Sequence, residues 1–169
     1  PIFFFIVVAG GVGFSLSSTG NLLSRLPLRH LLLFQSFRLP LEMILHSWAR
    51  QGTVPGTMTW TGTNYDIVSG VIVLAVGIAF SKSKLAIWIA NLTGITLLIN
   101  VIRVVVMSSP LPFSWPLERQ LLLAFYFPYN LIGPLAVGLA IAGHIILTIG
   151  LLRSGGEINT LPQKTRISQ

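Results

Sequence analysis

Long runs of apolar residues dominate the sequence, and they constrain the fold more than any other feature. Residues 85–107 contain a single formal charge, Arg103, and residues 129–152 contain none. A helix needs about 20 mainly apolar residues to cross the hydrocarbon core of a bilayer. Only 9% of the 169 residues are Asp, Glu, Lys or Arg, too few to build a water-facing surface. The sequence therefore predicts an all-α membrane protein with a single helical domain over residues 1–152.

We predict about four transmembrane helices, at residues 1–18, 67–82, 85–107 and 129–152. The first run lacks the basic residues that precede the core of a signal peptide, so a transmembrane helix is expected there. Lys82 and Lys84 lie between the second and third spans, and the positive-inside rule places that turn in the cytoplasm. Four spans then place both termini in the cytoplasm, with residues 153–169 as a mobile tail. The predicted location is the inner membrane of a bacterium, with ordered loops outside.

Residues 22–50 are rich in leucine but also carry several charges. A charge at bilayer depth costs about 2.5–3.5 kcal/mol, so we predict that this segment lies at the membrane surface. An interfacial helix is expected at about residues 40–51. Glu42, His46 and Arg50 follow one another at intervals of four and form one face, while apolar side chains form the other. This pattern is typical of an amphipathic helix that lies on a membrane.

A polar stripe follows the third predicted span at spacings of three, four and three residues. Its members are Thr93, Thr96, Asn100 and Arg103. In hydrocarbon such a stripe is expected to face other helices or a water-filled cavity. It either provides hydrogen bonds between helices, or Arg103 anchors an anion or carboxylate in a pocket that opens outward. Asp66 and Glu118 are the candidate partners of Arg103.

Glu42 and His46 are one helical turn apart, which is half of a helical metal site. Two ligands do not specify a metal, and a third from Asp66 or His30 would be needed, so no metal is predicted. The alternatives are an acid–base pair, or a carboxylate in the first helical turn followed by ordinary partners four residues apart.

His144 shares a face of the last predicted span with the small residues Ala136 and Ala140 and with Thr148. Small residues allow helices to pack closely, so we expect His144 to point into the bundle. It would either form a hydrogen bond with a neighbour or bind a haem or chlorophyll, a role also open to His46. No cofactor is predicted, because paired histidines on facing spans are not visible in the sequence.

Several classes of chemistry are excluded by what the sequence lacks. The chain has no cysteine, which excludes disulfides, thiolate metal ligands and a cysteine nucleophile. It also has no Walker loop, no Gly-x-Ser-x-Gly elbow, no His-Glu-x-x-His motif and no dinucleotide fingerprint. The net charge is +7, and the basic residues lie beside apolar spans. Membrane orientation and anionic headgroups explain them there, so nucleic-acid binding is not predicted.

Two resemblances add to these predictions. The stretches FRLPLEMILHSWARQGTVPGTMTWTGTNYDIVSG and AFYFPYNLIGP, followed by His144, resemble a family of small bacterial integral membrane proteins common in Bacteroidota. The resemblance covers about residues 37–152. That family has no assigned activity, so the resemblance implies an architecture without naming a reaction. Its most specific positions are Arg38, Leu39, Pro40, Glu42, His46, Met58, Thr59, Gly62, Asn64 and Asp66.

The second resemblance is to exosortase-type membrane transpeptidases. Ser69-Gly70 and the later Asn100-Val101-Ile102-Arg103 are similar to the core of that family, in which a cysteine precedes Ser-Gly. Val68 occupies the cysteine position here, and Ser69 has no visible activating base. The resemblance therefore implies at most a related helical scaffold without the chemistry.

The sequence favours a non-enzymatic accessory or scaffold subunit of a larger membrane complex, in contact with lipids and with other membrane protein subunits. The alternative is a membrane-embedded enzyme, or a protein that binds a lipid or small ligand, with its site at the outer interface. The candidate ligand or partner site consists of Arg38, Glu42, His46, Asn64, Asp66, Asn100 and Arg103, with His144 as a buried polar or cofactor contact.

Overall fold

The computed structural model describes residues 2–159, and over this range the chain is helical and contains no β-strand. The prediction of an all-α fold is confirmed. The helices are α1 (Ile2–Leu16), α2 (Ser18–Leu23), α3 (Leu28–Phe34), α4 (Arg38–Arg50), α5 (Asp66–Ala79), α6 (Lys84–Ser108) and α7 (Ile132–Asn159). Short 3-10 turns occur at Gln35–Phe37, Gly56–Met58, Leu122–Phe125 and Tyr129–Leu131.

Two segments are long and apolar enough to cross a membrane, namely α6 and Tyr129–Ser154, which includes most of α7. Helices α1 and α5 are also apolar, but they have 15 and 14 residues. At about 1.5 Å per residue each is roughly 20 Å long. Helix α7 continues to Asn159, beyond the predicted end of the last span, and residues 160–169 of the predicted tail lie outside the described residues.

Helices α3 and α4 form a nearly continuous run over residues 28–50, interrupted only by the turn Gln35–Phe37. This run is antiparallel to α5, because Leu33 packs against Gly77 and Leu39 against Gly70. It is also antiparallel to α7, where Leu28 contacts Gly150 and Gln35 contacts Gly143. The helix predicted to lie on the membrane surface is therefore part of the bundle.

The two predicted faces of α4 differ from the observed ones at several positions. Glu42 and Arg38 are each only 1% exposed, whereas Met43 and Ile44 are 64% and 46% exposed. Arg38 and Glu42 point into the protein because buried polar partners lie there, whereas Arg50 is exposed and Trp48 packs against a buried apolar cluster. The prediction of an outward polar face on this helix is wrong at Glu42.

The bundle has two distinct ends. Residues 51–65 and 109–131 form the long-loop end, where the Thr57 and Ser108 hydroxyls lie 2.8 Å apart and Arg119 donates to the Gly52 carbonyl. Residues 17–27 and 80–83 form the short-turn end. There Lys84 donates to the Ser154 carbonyl and the Arg153 guanidinium contacts Asn21.

Helix α1 runs parallel to α7. A Cβ atom on Gly11 would lie 2.6 Å from the Gly138 carbonyl oxygen, and four residues later Ser15 Oγ approaches the Ala142 carbonyl oxygen. Such close backbone approach is typical of packing through small residues. Helix α1 therefore begins at the long-loop end, whereas α7 ends at the short-turn end, so the two ends of the described chain lie at opposite ends of the bundle. The predicted placement of both termini in the cytoplasm stays a prediction.

The outer surface of the bundle is apolar while much of its interior is polar. Large apolar side chains are exposed along every long helix, including Phe5, Ile6, Val71, Ile78, Leu85, Ile99, Leu135 and Leu139. Buried positions, by contrast, include Arg38, Glu42, Asp66, Asn91 and His144. An apolar surface of this extent is unusual for a protein surrounded by water.

Candidate functional site

Arg38 is buried on α4 and contacts three other helices. Its Nη1 donates to Asp66 Oδ1 at 2.7 Å, to Ser69 Oγ at 2.9 Å and to the Gly94 carbonyl at 3.3 Å. Its Nη2 lies 2.8 Å from His144 Nε2. One guanidinium therefore joins α4 to α5, α6 and α7. We call Arg38, Glu42, Asn64, Asp66, Ser69, Asn91 and His144 the Arg38 cluster.

The tautomer of His144 follows from its neighbours. Arginine can only donate, so His144 Nε2 accepts from Arg38, and Nδ1 then donates to Asn91 Oδ1 at 2.7 Å. Asn91 Nδ2 donates to Thr148 Oγ1 at 2.8 Å. The expectation that His144 points into the bundle is confirmed. In this arrangement neither ring nitrogen offers a free lone pair to a haem or chlorophyll.

Asn64 connects the buried ion pair to the second carboxyl of the cluster. Its Nδ2 donates to Glu42 Oε1 at 2.8 Å and to the Met58 carbonyl at 3.0 Å. Its Oδ1 accepts from the Asp66 backbone N–H at 3.2 Å. Asn64 therefore fixes the start of α5 and orients Glu42 by means of a single amide.

The inner face of residues 35–46 is polar along its length. Four buried atoms on this face have no hydrogen-bond partner among the described residues, and they belong to four side chains at spacings of three, four and four. They are Gln35 Oε1, Arg38 Nε, Glu42 Oε2 and His46 Nδ1. Glu42 and His46 do not share a third metal ligand, since the described residues contain no group of three potential metal-binding side chains.

Asn100 and Arg103 lie apart from the cluster. Asn100 donates to the Thr63 carbonyl at 2.8 Å, and the exposed Arg103 donates to Asn100 Oδ1 at 2.9 Å and lies over the ring of Trp115. Among the described residues Asp66 pairs with Arg38, and no ion pair joins Arg103 to a carboxylate. The predicted pairing of Arg103 with Asp66 or Glu118 is wrong, because Asn100 and Trp115 are its neighbours.

The prediction that the whole polar stripe faces inward is also wrong. Thr96 is exposed, and its hydroxyl donates to the Leu92 carbonyl of its own helix. A threonine that bonds to its own backbone needs no partner on another helix. The inward polar face of α6 is formed instead by Asn91 and the backbone at Gly94.

The candidate residues are therefore divided among three places. Arg38, Glu42, Asn64, Asp66 and His144 meet in the buried cluster, Asn100 and Arg103 lie near the long-loop end, and His46 stacks on Trp60 at a ring distance of 4.1 Å. Ser69 and Asn91 were not among the candidates. Asn91 is an isolated amide in an apolar run, which is the signal that would have identified it.

Two cavities in the described part of the protein lie near the end of α4. One, of about 530 Å³, is lined by Met43, His46, Ser47, Arg50, Gln51 and Trp60. The other, of about 300 Å³, includes Gly52, Val54, Pro55, Glu118 and Arg119. Neither is lined by Arg38, Asp66, Ser69 or His144. The residues of the cluster are at most 4% exposed, so protein encloses its ion pair and hydrogen bonds.

Comparisons of the chain with protein family models, with curated proteins and with solved structures give no match. The resemblances to the bacterial membrane protein family and to exosortases therefore stay predictions.

Proposed function

We propose that the chain is a polytopic integral membrane protein and a non-enzymatic scaffold or accessory subunit of a larger membrane assembly. Its crossing elements would be α1, the run of residues 28–50, α5, α6 and α7, one more than the four spans expected from the sequence. The bacterial inner membrane is the proposed location. Support for this placement comes from the apolar exterior and from the two segments long enough to span.

The buried partners of Arg38 and Glu42 lower the energetic cost of placing residues 28–50 across the membrane as a fifth crossing. A charge at bilayer depth is expensive when it is unpaired, but polar groups that face the bundle interior and bind one another are tolerated. Arg38 pairs with Asp66, and Glu42 accepts from Asn64. The short helices α1 and α5 need only modest bilayer thinning or flanking polar residues to span.

The observation that carries the non-enzymatic role is the enclosure of the Arg38 cluster. An active site is normally a concave pocket with a few convergent polar groups. Here Asp66, Ser69 and His144 bind Arg38 rather than facing a cavity. Among the described residues, Ser69 Oγ accepts from Arg38 and donates to no base, which a serine nucleophile requires.

The outward face of α6 is the surface we assign to a partner subunit. Its exposed residues recur at intervals of four and three, as in a helix that packs against another helix. They are Leu85, Ile89, Leu92, Thr96, Ile99 and Arg103. Thr96 and Arg103 place polar groups in this otherwise apolar stripe, which suits contact with a protein better than contact with lipid tails.

The absence of cysteine makes the topology directly measurable. We expect Gly56→Cys and Glu118→Cys to react with a membrane-impermeant maleimide from one side of sealed vesicles. Ser81→Cys should react only from the other side, because residue 81 lies at the short-turn end. A cysteine added before α1 should label together with Gly56→Cys if five elements cross. Labelling together with Ser81→Cys would instead mean an even number of crossings.

Partner binding is tested by purifying the tagged protein from its native membranes in a mild detergent. We expect a stoichiometric partner that is lost from the Leu92→Trp variant, because the larger ring would block the α6 face. Val71→Trp is the matched control, since Val71 is exposed on α5. A monodisperse monomer without partners would contradict the proposed role, as would equal loss in both variants.

A further inference from the structure

The larger cavity lies beside the last two turns of α4, at the long-loop end of the bundle. Its volume is about 530 Å³, and four of its lining residues come from α4 itself, with Gln51 and Trp60 completing it. The lining residues on α4 extend from Met43 to Arg50, a separation of seven residues. At about 1.5 Å per residue this corresponds to roughly 10 Å along the helix axis.

One end of the cavity is cationic and polar. Arg50 is exposed, and its side chain makes no hydrogen bond or ion pair with another described residue. Ser47 and Gln51 lie beside it and are joined by a hydrogen bond of 3.3 Å. The last turn of α4 does not need the Arg50 side chain, because the carbonyls of residues 47–49 accept from the backbone N–H groups of residues 51–53.

The other end of the cavity is apolar. Met43 is largely exposed there, and Ile44 continues the apolar surface outside the cavity. His46 and Trp60 form a flat wall between the two ends, with their rings 4.1 Å apart and inclined by only 14°. The lining thus changes from cationic to apolar over about 10 Å along α4.

The geometry points to a binding site for one anionic phospholipid, with its phosphate at Arg50 and Gln51 and an acyl chain along Met43 and Ile44. Arginine matches phosphate oxygens in shape and charge, and the aromatic wall suits the glycerol region at a membrane interface. In the proposed topology Arg50 lies at headgroup level and Met43 deeper, which is the order of groups in a lipid. The inference rests on that placement of α4.

The test uses the full chain in detergent and native mass spectrometry. The probes are dihexanoyl phosphatidylglycerol, dihexanoyl phosphatidylcholine and inorganic phosphate. We expect one saturable phosphatidylglycerol molecule per chain, with about tenfold weaker binding to the Arg50→Gln variant after loss of a charge-assisted contact. The matched control is Arg29→Gln, because Arg29 is also an exposed arginine and lies near the short-turn end.

Three results would overturn the site. Equal binding of phosphatidylcholine would show that the charge is not recognised, and equal loss in both arginine variants would indicate diffuse electrostatic attraction. Saturable binding of inorganic phosphate at the same concentrations would identify a free-anion site. Circular dichroism of each variant shows whether the fold is retained. Failure here leaves the cysteine-labelling pattern and partner binding intact, so it is distinguishable from failure of the proposed function.

Discussion

Replacing Arg38 with methionine is expected to lower the free energy of unfolding by about 3–5 kcal/mol, the usual cost of removing one partner of a buried ion pair. The substitution leaves the Asp66 carboxylate buried and without its cation, and it leaves His144 Nε2 without a donor. Lysine should not restore stability, because one ammonium group cannot reproduce the planar fork that contacts α5, α6 and α7 together. The measurement is unfolding by SDS titration, followed by circular dichroism.

The double variant Arg38→Met, Asp66→Leu distinguishes a charge effect from a packing effect. If the cost comes from an uncompensated charge, the double variant should recover a large part of the lost stability, since apolar replacement of a whole buried pair is often neutral. Arg29→Met is the control, because Arg29 is exposed and should change stability little. A double variant less stable than Arg38→Met would refute the interpretation.

The helices that were best predicted from the sequence are those whose pattern depends only on residues close together in the chain. The apolar runs around residues 67–82 and 85–107 needed only hydropathy and flanking turns, and α5 and α6 begin and end within a few residues of them. The burial of His144 was also predictable, since it shares a helix face with small residues. Such features depend on neighbours at most one or two turns away.

The location of residues 28–50 was not predictable in the same way. The periodicity of the sequence shows that α4 has two faces, but it does not show which face points into the protein. In a water-soluble protein the apolar face is buried, whereas in a bundle within a membrane the polar face can be buried. The choice depends on Asp66, which is 28 positions from Arg38 in the chain, and on His144, which is 106 positions away. No local pattern reports such partners.

The contacts within the candidate site also could not be predicted from local sequence patterns. Arg38 and Arg103 were both candidate site residues, but of these two only Arg38 has a carboxylate of the described residues in contact with its guanidinium. Arg103 lies one turn beyond Asn100 on α6 and turns toward Trp115 at the surface. The sequence could list the polar groups, but pairing them required the crossing of α4 with α5, α6 and α7.

Substituting valine for Gly94 is expected to lower the free energy of unfolding by about 3 kcal/mol, the upper part of the usual range for overpacking. A Cβ atom at this position would lie 2.5 Å from His144 Cε1 and 3.3 Å from Ser69 Oγ. The imidazole cannot move aside cheaply, because Arg38 and Asn91 bind its two nitrogens. Alanine should have a smaller effect in the same direction. SDS titration again provides the measurement.

Gly13→Val is the matched control for Gly94→Val, because a Cβ atom on Gly13 would meet no atom within 4 Å. If both variants lose the same stability, a general effect of the added side chain rather than contact with the Arg38 cluster explains the loss. Partner retention on the purified variants adds a functional comparison. Gly94 faces inward on α6, whereas Leu92 faces outward. If Gly94→Val loses the partner and Gly13→Val keeps it, the packed cluster orients the α6 face for assembly.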